Sequence, residues 1–360
     1  MLTVREVEVR AVNAPIAPPL RNSLNTIPVA PLVIADIQTE EGPRGTAYAF
    51  AYAPQALGPL AALTRNIGEA LQGRPVAPQA QWDAWQDGFR LLGTEGLVQM
   101  AISVLDTALW DALARAAGLP LVRLLGGVPA PVPAYGSLRG WGPAALAEEG
   151  GRAVAEWGVR AVKCKLGAPT LEADLDTVRA LQGAVGPGVE VFVDYNQGLT
   201  RPEALRRGLA LQDAGVRWLE EPLPVADDEG LAALSRRLAL PVQGGENWWG
   251  PAAMQRSLGA GALGLCMPDV MKMGGVTGFL RGMAVAAAHR VPLSSHIFVE
   301  ASAQLMPLAP TRHWLEWLDL AGPVRASPLA PQMGLVAPPE APGLGLEWDA
   351  AALRRLAAEV

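Results

Sequence analysis

The sequence predicts an α/β protein: a closed barrel of eight parallel strands and their helices, preceded by a smaller α+β domain. Three observations predict it. The chain has 360 residues, half of them hydrophobic, enough for a barrel and a second unit. From about residue 130 onward, short apolar or β-branched runs alternate with helix-like stretches. A charged side chain also closes one run after another at near-constant spacing.

Residues 4–12 alternate charged and apolar side chains, the pattern of a half-buried strand. Residues 31–38 and 46–52 read as two further strands, separated by the turn signal Glu41-Gly42-Pro43. Helical patterns follow at 56–71 and 96–117. In the second, Val98, Ile102, Leu105, Leu109 and Leu113 recur at helical spacing, and Gly118-Leu119-Pro120 stops it. Strands followed by helices make residues 1–125 an α+β domain. Strands at 131–135, 161–165, 189–194, 217–220, 241–246, 263–268, 291–296 and 313–317 then alternate with helices at 143–157, 171–185, 201–214, 231–240, 251–258 and 276–289. Residues 126–320 therefore form the barrel. No Gly-rich phosphate loop follows an early strand, which disfavours a doubly wound open sheet. The Pro- and Gly-rich tail, 321–360, carries a short helix at 350–359 and is expected to cross back to the first domain.

Composition narrows the function. A net charge of −6, with charged residues at 18% and no basic cluster, argues against nucleic acid and against an anionic membrane surface. Charges break the N-terminus at once, so no signal peptide is expected. No apolar run approaches the roughly 18 residues of a membrane span. The only cysteines, Cys164 and Cys266, lie in apolar runs and read as buried packing residues, with a cytoplasmic location as the default.

Strand ends carry the chemistry. Lys163 and Lys165 are followed by Asp194, Glu220, Glu246, Asp269, His296 and Glu316, with gaps from Lys165 of 29, 26, 26, 23, 27 and 20 residues. Each gap is about one strand-plus-helix unit, so one polar group recurs at the same end of successive strands, the end where barrel active sites lie. Asp194, Glu220 and Glu246 come from three neighbouring strands. Three converging carboxylates repel unless a cation neutralises them, and an all-oxygen set suits Mg²⁺ rather than zinc. Lys163 and Lys165 share one strand face. Mutual repulsion and burial would lower a lysine pKa toward neutrality, making one of them a base. Asp269 stands one strand from His296, so the pair reads as an acid–base dyad in which the carboxylate orients the ring.

These residues bring a family into view. Lys163-x-Lys165, Asp194-Tyr195-Asn196, Glu220-Glu221-Pro222, Gly245-Glu246-Asn247, Pro268-Asp269, Lys272-x-Gly274-Gly275 and Ser295-His296 together resemble the mandelate racemase subgroup of the enolase superfamily. Residues 106–111 and 124–127 resemble its capping-domain signature, and residues 10–15 and 311–322 resemble segments of its racemases. The similarity covers nearly the whole chain. It implies a (β/α)7β TIM-like barrel under an N-terminal α+β capping domain, in a homo-oligomer, octamers included. It implies Mg²⁺ on Asp194, Glu220 and Glu246, with Lys165 and the His296–Asp269 pair as two bases on opposite faces. Such sites use a Lys or His base with magnesium. By the same resemblance Lys163 and Ser137 touch the substrate carboxylate, Glu316 is a protonated acid donating to it, and Asn196 sits near the α-hydroxyl. Lys272 gives electrostatic support.

The resemblance further implies that a loop near 20–30 and the 50–52 hairpin cover the substrate's distal end through Leu20, Ile27, Phe50, Tyr52, Ile297 and Leu318. That apolar set suits an aryl or bulky 2-hydroxy acid, racemised through an enediolate. Arg21, Asn22 and Asn25 add polar groups that suit a sugar acid, and Gly136 and Leu138 stand where the family has polar groups. A sugar-acid dehydratase is therefore the alternative. A non-catalytic ligand-binding barrel is the third reading, although no expected metal ligand or base is missing.

Overall fold

The computed structural model describes residues 1–23 and 25–360. Strand β1 (Val4–Arg21) pairs antiparallel with β2 (Thr26–Thr39), and β2 with β3 (Arg44–Phe50). The first two strands outrun the expected 4–12 and 31–38. Pro15, Pro18 and Pro19 break the alternation in the sequence, yet β1 is an edge strand, where a missing N–H is tolerated. The pairing resumes after a register shift between Pro15 and Leu20. Leu20 and Ile27, expected on a loop, are cross-strand partners on this ribbon.

Helices α1 (Pro54–Glu69), α2 (Pro78–Gly88), α3 (Leu97–Ala116) and the single turn α4 (Leu121–Leu124) follow. Contrary to the expectation of no membrane-length apolar segment, α3 is long and apolar enough to cross a membrane, but 83% of that window is buried inside the fold. Asp106 and Asp111 interrupt the apolar run in the sequence, and both are buried with partners. Asp106 accepts from the Thr277 backbone N–H at 2.9 Å and its hydroxyl at 2.6 Å. Asp111 accepts from the backbone N–H groups of Thr46 at 2.9 Å and Leu344 at 2.6 Å. These two carboxylates tie α3 to the barrel, to the first sheet and to the tail.

Close packing of α3 on β3 depends on Gly45. A Cβ there would lie 2.0 Å from the Ala108 carbonyl oxygen, which as backbone cannot swing away. Gly45→Ala is expected to cost about 1–3 kcal/mol in a urea titration. Gly88→Ala, where a Cβ meets nothing within 4 Å, should stay within about 0.5 kcal/mol.

The barrel runs β4 (Val132–Ser137), α5 (Pro143–Trp157), β5 (Ala161–Lys165), α6 (Leu171–Val185), β6 (Glu190–Asp194), α7 (Arg201–Asp213), β7 (Trp218–Glu220), α8 (Asp228–Ser235), β8 (Val242–Gly244), α9 (Gly250–Gly259), β9 (Leu265–Cys266), α10 (Val270–Met273), α11 (Gly275–His289), α12 (Val299–Leu305) and β10 (Leu315–Trp317). Strands β4 to β9 pair in order, and β10 pairs parallel with β4. The expected strand at 291–296 is reduced to bridges. Leu293 joins Cys266 on one side to Arg312 on the other, and His296 bridges to Asp269. This closes the (β/α)7β barrel.

Side chains of period two stack the interior in layers. Tyr135, Ala161, Phe192, Trp218 and Leu265 form a buried cluster of their own, with Trp314 against it. Two residues further along the same strands stand Ser137, Lys163, Asp194 and Glu220, all buried. An aromatic floor thus lies under a polar layer. In the tail, β11 (Leu335–Val336) pairs antiparallel with β4, and α13 (Ala350–Arg355) leads back to the first sheet, where the Ala358 N–H donates to the Ala11 carbonyl at 2.9 Å.

Candidate active site

Strand register alone brings the acids together. Lys165 is the lateral partner of Asp194, and Asp194 of Glu220. Glu246 follows β8 after Gly245, whose φ of 123° takes the chain through a turn that a Cβ would drive into the Trp248 ring at 2.7 Å. Asp194, Glu220 and Glu246 are buried, and one oxygen from each lies within 4.8 Å of the others. Burial, opposed by Lys163 and reinforced by Asp194 and Glu246, pushes the Glu220 carboxyl up to about 8. That residual repulsion among buried acids is what a divalent cation relieves, so the three residues fit Mg²⁺.

The amines and the imidazole surround this triad. Lys163 Nζ pairs with Glu220 and, at 2.7 Å, with Glu316. Lys165 Nζ lies 3.3 Å from Asp194. His296 Nδ1 is 2.6 Å from Asp269, and Nε2 is 3.2 Å from Glu246. Asp269 also caps α10 by accepting from the Met271 N–H at 2.7 Å, which fixes the carboxylate that orients the ring.

Two electrostatic expectations are corrected. Burial does act to lower both lysines, but Glu220 and Glu316 hold Lys163 well above its ordinary value, and Asp194 holds Lys165 up despite Lys163. Lysine–lysine repulsion is outweighed because carboxylates outnumber ammonium groups in this layer. The neutral Glu316 expected from the resemblance is opposed by its neighbours. Burial would raise it, but Lys163 and His296 bring it down to about 2. His296 is pulled down by burial and carried up to about 10 by Glu246 and Asp269. A divalent cation on Asp194 and Glu246 would withdraw much of the influence that keeps Lys165 and His296 protonated.

A cavity of about 110 Å³ opens over this group. Leu20, Ile27, Phe50, Tyr52, Ile297 and Leu318 all line it, with Lys165, Asn196, Glu246, His296 and Glu316. Asn22, one of the polar loop residues noted in the sequence, lines it too, and so does Leu320, which had not been assigned to the pocket. Ser137 is buried beside Lys163 in register, and its Oγ has no hydrogen-bond partner among the described residues. Asn196 donates to Asp194 from its backbone at 2.7 Å and its side chain at 2.9 Å, and its buried Oδ1 has no hydrogen-bond partner among the described residues. Tyr52, Asn196, Glu221 and Ile297 hold left-handed backbone at φ of 59°, 43°, 35° and 34°, a strain concentrated where geometry is demanding.

Side-chain links across elements escaped the sequence reading. Tyr52 is more than an apolar wall: its hydroxyl donates to Asp269 at 3.0 Å, joining the first domain to the dyad. Lys272 Nζ lies 4.1 Å from the Tyr52 ring centre and donates at 2.7 Å to Asn247, which in turn donates to Glu221 at 2.8 Å. Trp218 and Gln243 reach Glu220 from below.

The N-terminal domain model of mandelate racemase / muconate lactonizing enzyme matches residues 4–126, and the enolase C-terminal domain-like model matches 145–352. The chain is 31% identical to the 3,6-anhydro-alpha-L-galactonate cycloisomerase of Streptomyces coelicolor over 334 residues, 91% of each protein. It superposes on a Bradyrhizobium enolase solved with magnesium and mandelic acid with a TM-score of 0.96, at 41% identity and 99% coverage of both chains. A second solved relative, the L-talarate dehydratase of Polaromonas sp. JS666 with Mg and L-glucarate, gives 0.91 at 27% identity, over 100% of this chain and 98% of that one.

Proposed function

Because this chain belongs to the mandelate racemase / muconate lactonizing enzyme family of the enolase superfamily, and is therefore a magnesium-dependent enzyme, we propose that it racemises a 2-hydroxy carboxylate bearing an aryl or similarly compact apolar group. One observation carries this: Lys165 and His296 line the same small cavity, where the apolar Leu20, Ile27, Phe50, Ile297, Leu318 and Leu320 outnumber the polar Asn22 and the Tyr52 ring among the remaining lining residues from the first domain and the barrel rim. A polyhydroxylated acid would leave hydroxyls without partners against those apolar side chains. The Bradyrhizobium structure with mandelic acid supports the same choice.

In this mechanism Asp194, Glu220 and Glu246 hold the ion, which supplies positive charge against the substrate oxygens. Lys163 and Ser137 bind the carboxylate, and Glu316 anchors Lys163. Asn196 meets the α-hydroxyl. Lys165 removes the α-proton from one face and His296, oriented through Nδ1 by Asp269, from the other. The extra negative charge spreads over an enediolate beside these donors. Return of a proton by the opposite base inverts the stereocentre. Lys272 acts on the site electrostatically through Asn247. We further propose a cytoplasmic homo-oligomer, a location supported by the free, buried thiols of Cys164 and Cys266.

Proton NMR in D₂O, with Mg²⁺ and a panel of aryl hydroxy acids and sugar acids, is the test. Expected is α-deuterium incorporation with loss of optical activity for an aryl hydroxy acid. Formation of a 2-keto-3-deoxy acid would replace racemisation with dehydration, a reading that Asn22 on the cavity wall favours. Neither exchange nor product across the panel would leave a ligand-binding barrel.

A further inference from the structure

Glu220 differs from the other two acids of the triad in what lies beneath it. Trp218 stands two residues earlier on the same strand face, and its indole N–H donates to Glu220 Oε2 at 3.2 Å. Gln243, on the neighbouring strand β8, donates from Nε2 to the same oxygen at 3.1 Å. The Gln243 amide is itself held, since Nε2 also lies 3.1 Å from the Met267 sulfur. Trp218 cannot easily move away: its ring stacks on Phe192 at 3.3 Å and 11°, and meets Tyr135 edge-on at 5.3 Å. Trp218, Gln243 and Glu220 are all buried.

We infer that Trp218 and Gln243 are positioning residues for the metal: they clamp Glu220 Oε2 from the barrel floor and so fix the orientation in which the carboxylate is presented to the triad. This rests on the assignment of Mg²⁺ to the triad. Lys163 pairs with Oε1, and a free carboxylate could rotate to offer the ammonium both oxygens. Holding Oε2 from below blocks that rotation. Both donors are neutral, so they fix the carboxylate without cancelling the charge the ion requires. A cation in either place would orient Glu220 equally well but compete with the metal.

Mg²⁺ titration of the full-length chain by calorimetry, after chelation and removal of the chelator, tests this. W218F keeps an aromatic ring on Phe192 but loses the donor; Q243M keeps the volume but loses the other. Each is expected to weaken Mg²⁺ binding about 10-fold or more, within the range for lost partners of metal ligands. Y135F is the control. It alters the same aromatic layer but removes a hydroxyl that has no partner among the described residues, so its affinity should match wild type. Should W218F not fold, Q243M alone decides. Wild-type affinity in W218F and Q243M, or an equal loss in Y135F, overturns the clamp and leaves the metal assignment intact. No Mg²⁺ uptake by the wild-type chain overturns the metal assignment itself, and the clamp with it.

Discussion

His296→Asn is expected to lower α-proton exchange from one enantiomer of the substrate by about 10²–10⁴-fold, the usual worth of a positioned acid–base group, while exchange from the other enantiomer continues. Asn is close in size to the near half of the imidazole and can still donate to Asp269, so the dyad's carboxylate keeps a partner. What disappears is the proton acceptor at Nε2, which faces the cavity with Glu246 at 3.2 Å and Glu316 at 3.8 Å. Lys165 is untouched and goes on exchanging the enantiomer whose α-hydrogen points toward it, now without inversion. Proton NMR of each pure enantiomer in D₂O separates the two half-reactions. Equal loss for both would contradict two independent bases and would point to His296 as a general electrostatic element.

Periodicity made the polar layer legible in the sequence. Asp194, Glu220 and Glu246 each end an apolar segment, and barrel strands have only one end at which a buried charge finds partners. The recurrence once per unit therefore singled out three acids before any contact was known, and the fold brings one oxygen from each within 4.8 Å of the others. The same logic failed where a segment stopped being a strand: residues 291–296 keep only bridges at Leu293 and His296, because Pro292 supplies no donor and the Ser295 side chain is spent on the Glu316 backbone. The ribbon of β1 and β2 was likewise underread because its prolines break the pattern without breaking the pairing. Charge states were the least legible. Two lysines adjacent on a face suggested mutual depression, but their carboxylate partners come from β6, β7 and β10, and only the closed barrel shows how many acids surround each amine. Trp218 was within reach, two residues before Glu220, yet an aromatic in an apolar strand carries no sign of which atom its N–H will meet.

Chelation makes a second, sharper prediction about how the ion and the bases depend on each other. Removing Mg²⁺ is expected to stop exchange from both enantiomers, by about 10³-fold or more, where His296→Asn stops only one. Part of the loss is the missing positive charge at the substrate oxygens. The rest follows from the sign of the shifts: Asp194 holds Lys165 above its ordinary value and Glu246 helps carry His296 up to about 10. A raised pKa means the proton is retained to higher pH, so at neutrality both groups are cations and neither can accept one. Neutralising Asp194 and Glu246 with a divalent ion lowers both together. Re-addition of Mg²⁺ should therefore restore the two half-reactions in parallel, with one midpoint, in the same D₂O assay. Persistence of either half-reaction in the chelated enzyme would mean that its base is set free by something other than the ion, and Lys165 or His296 would have to be removed from the role assigned to it.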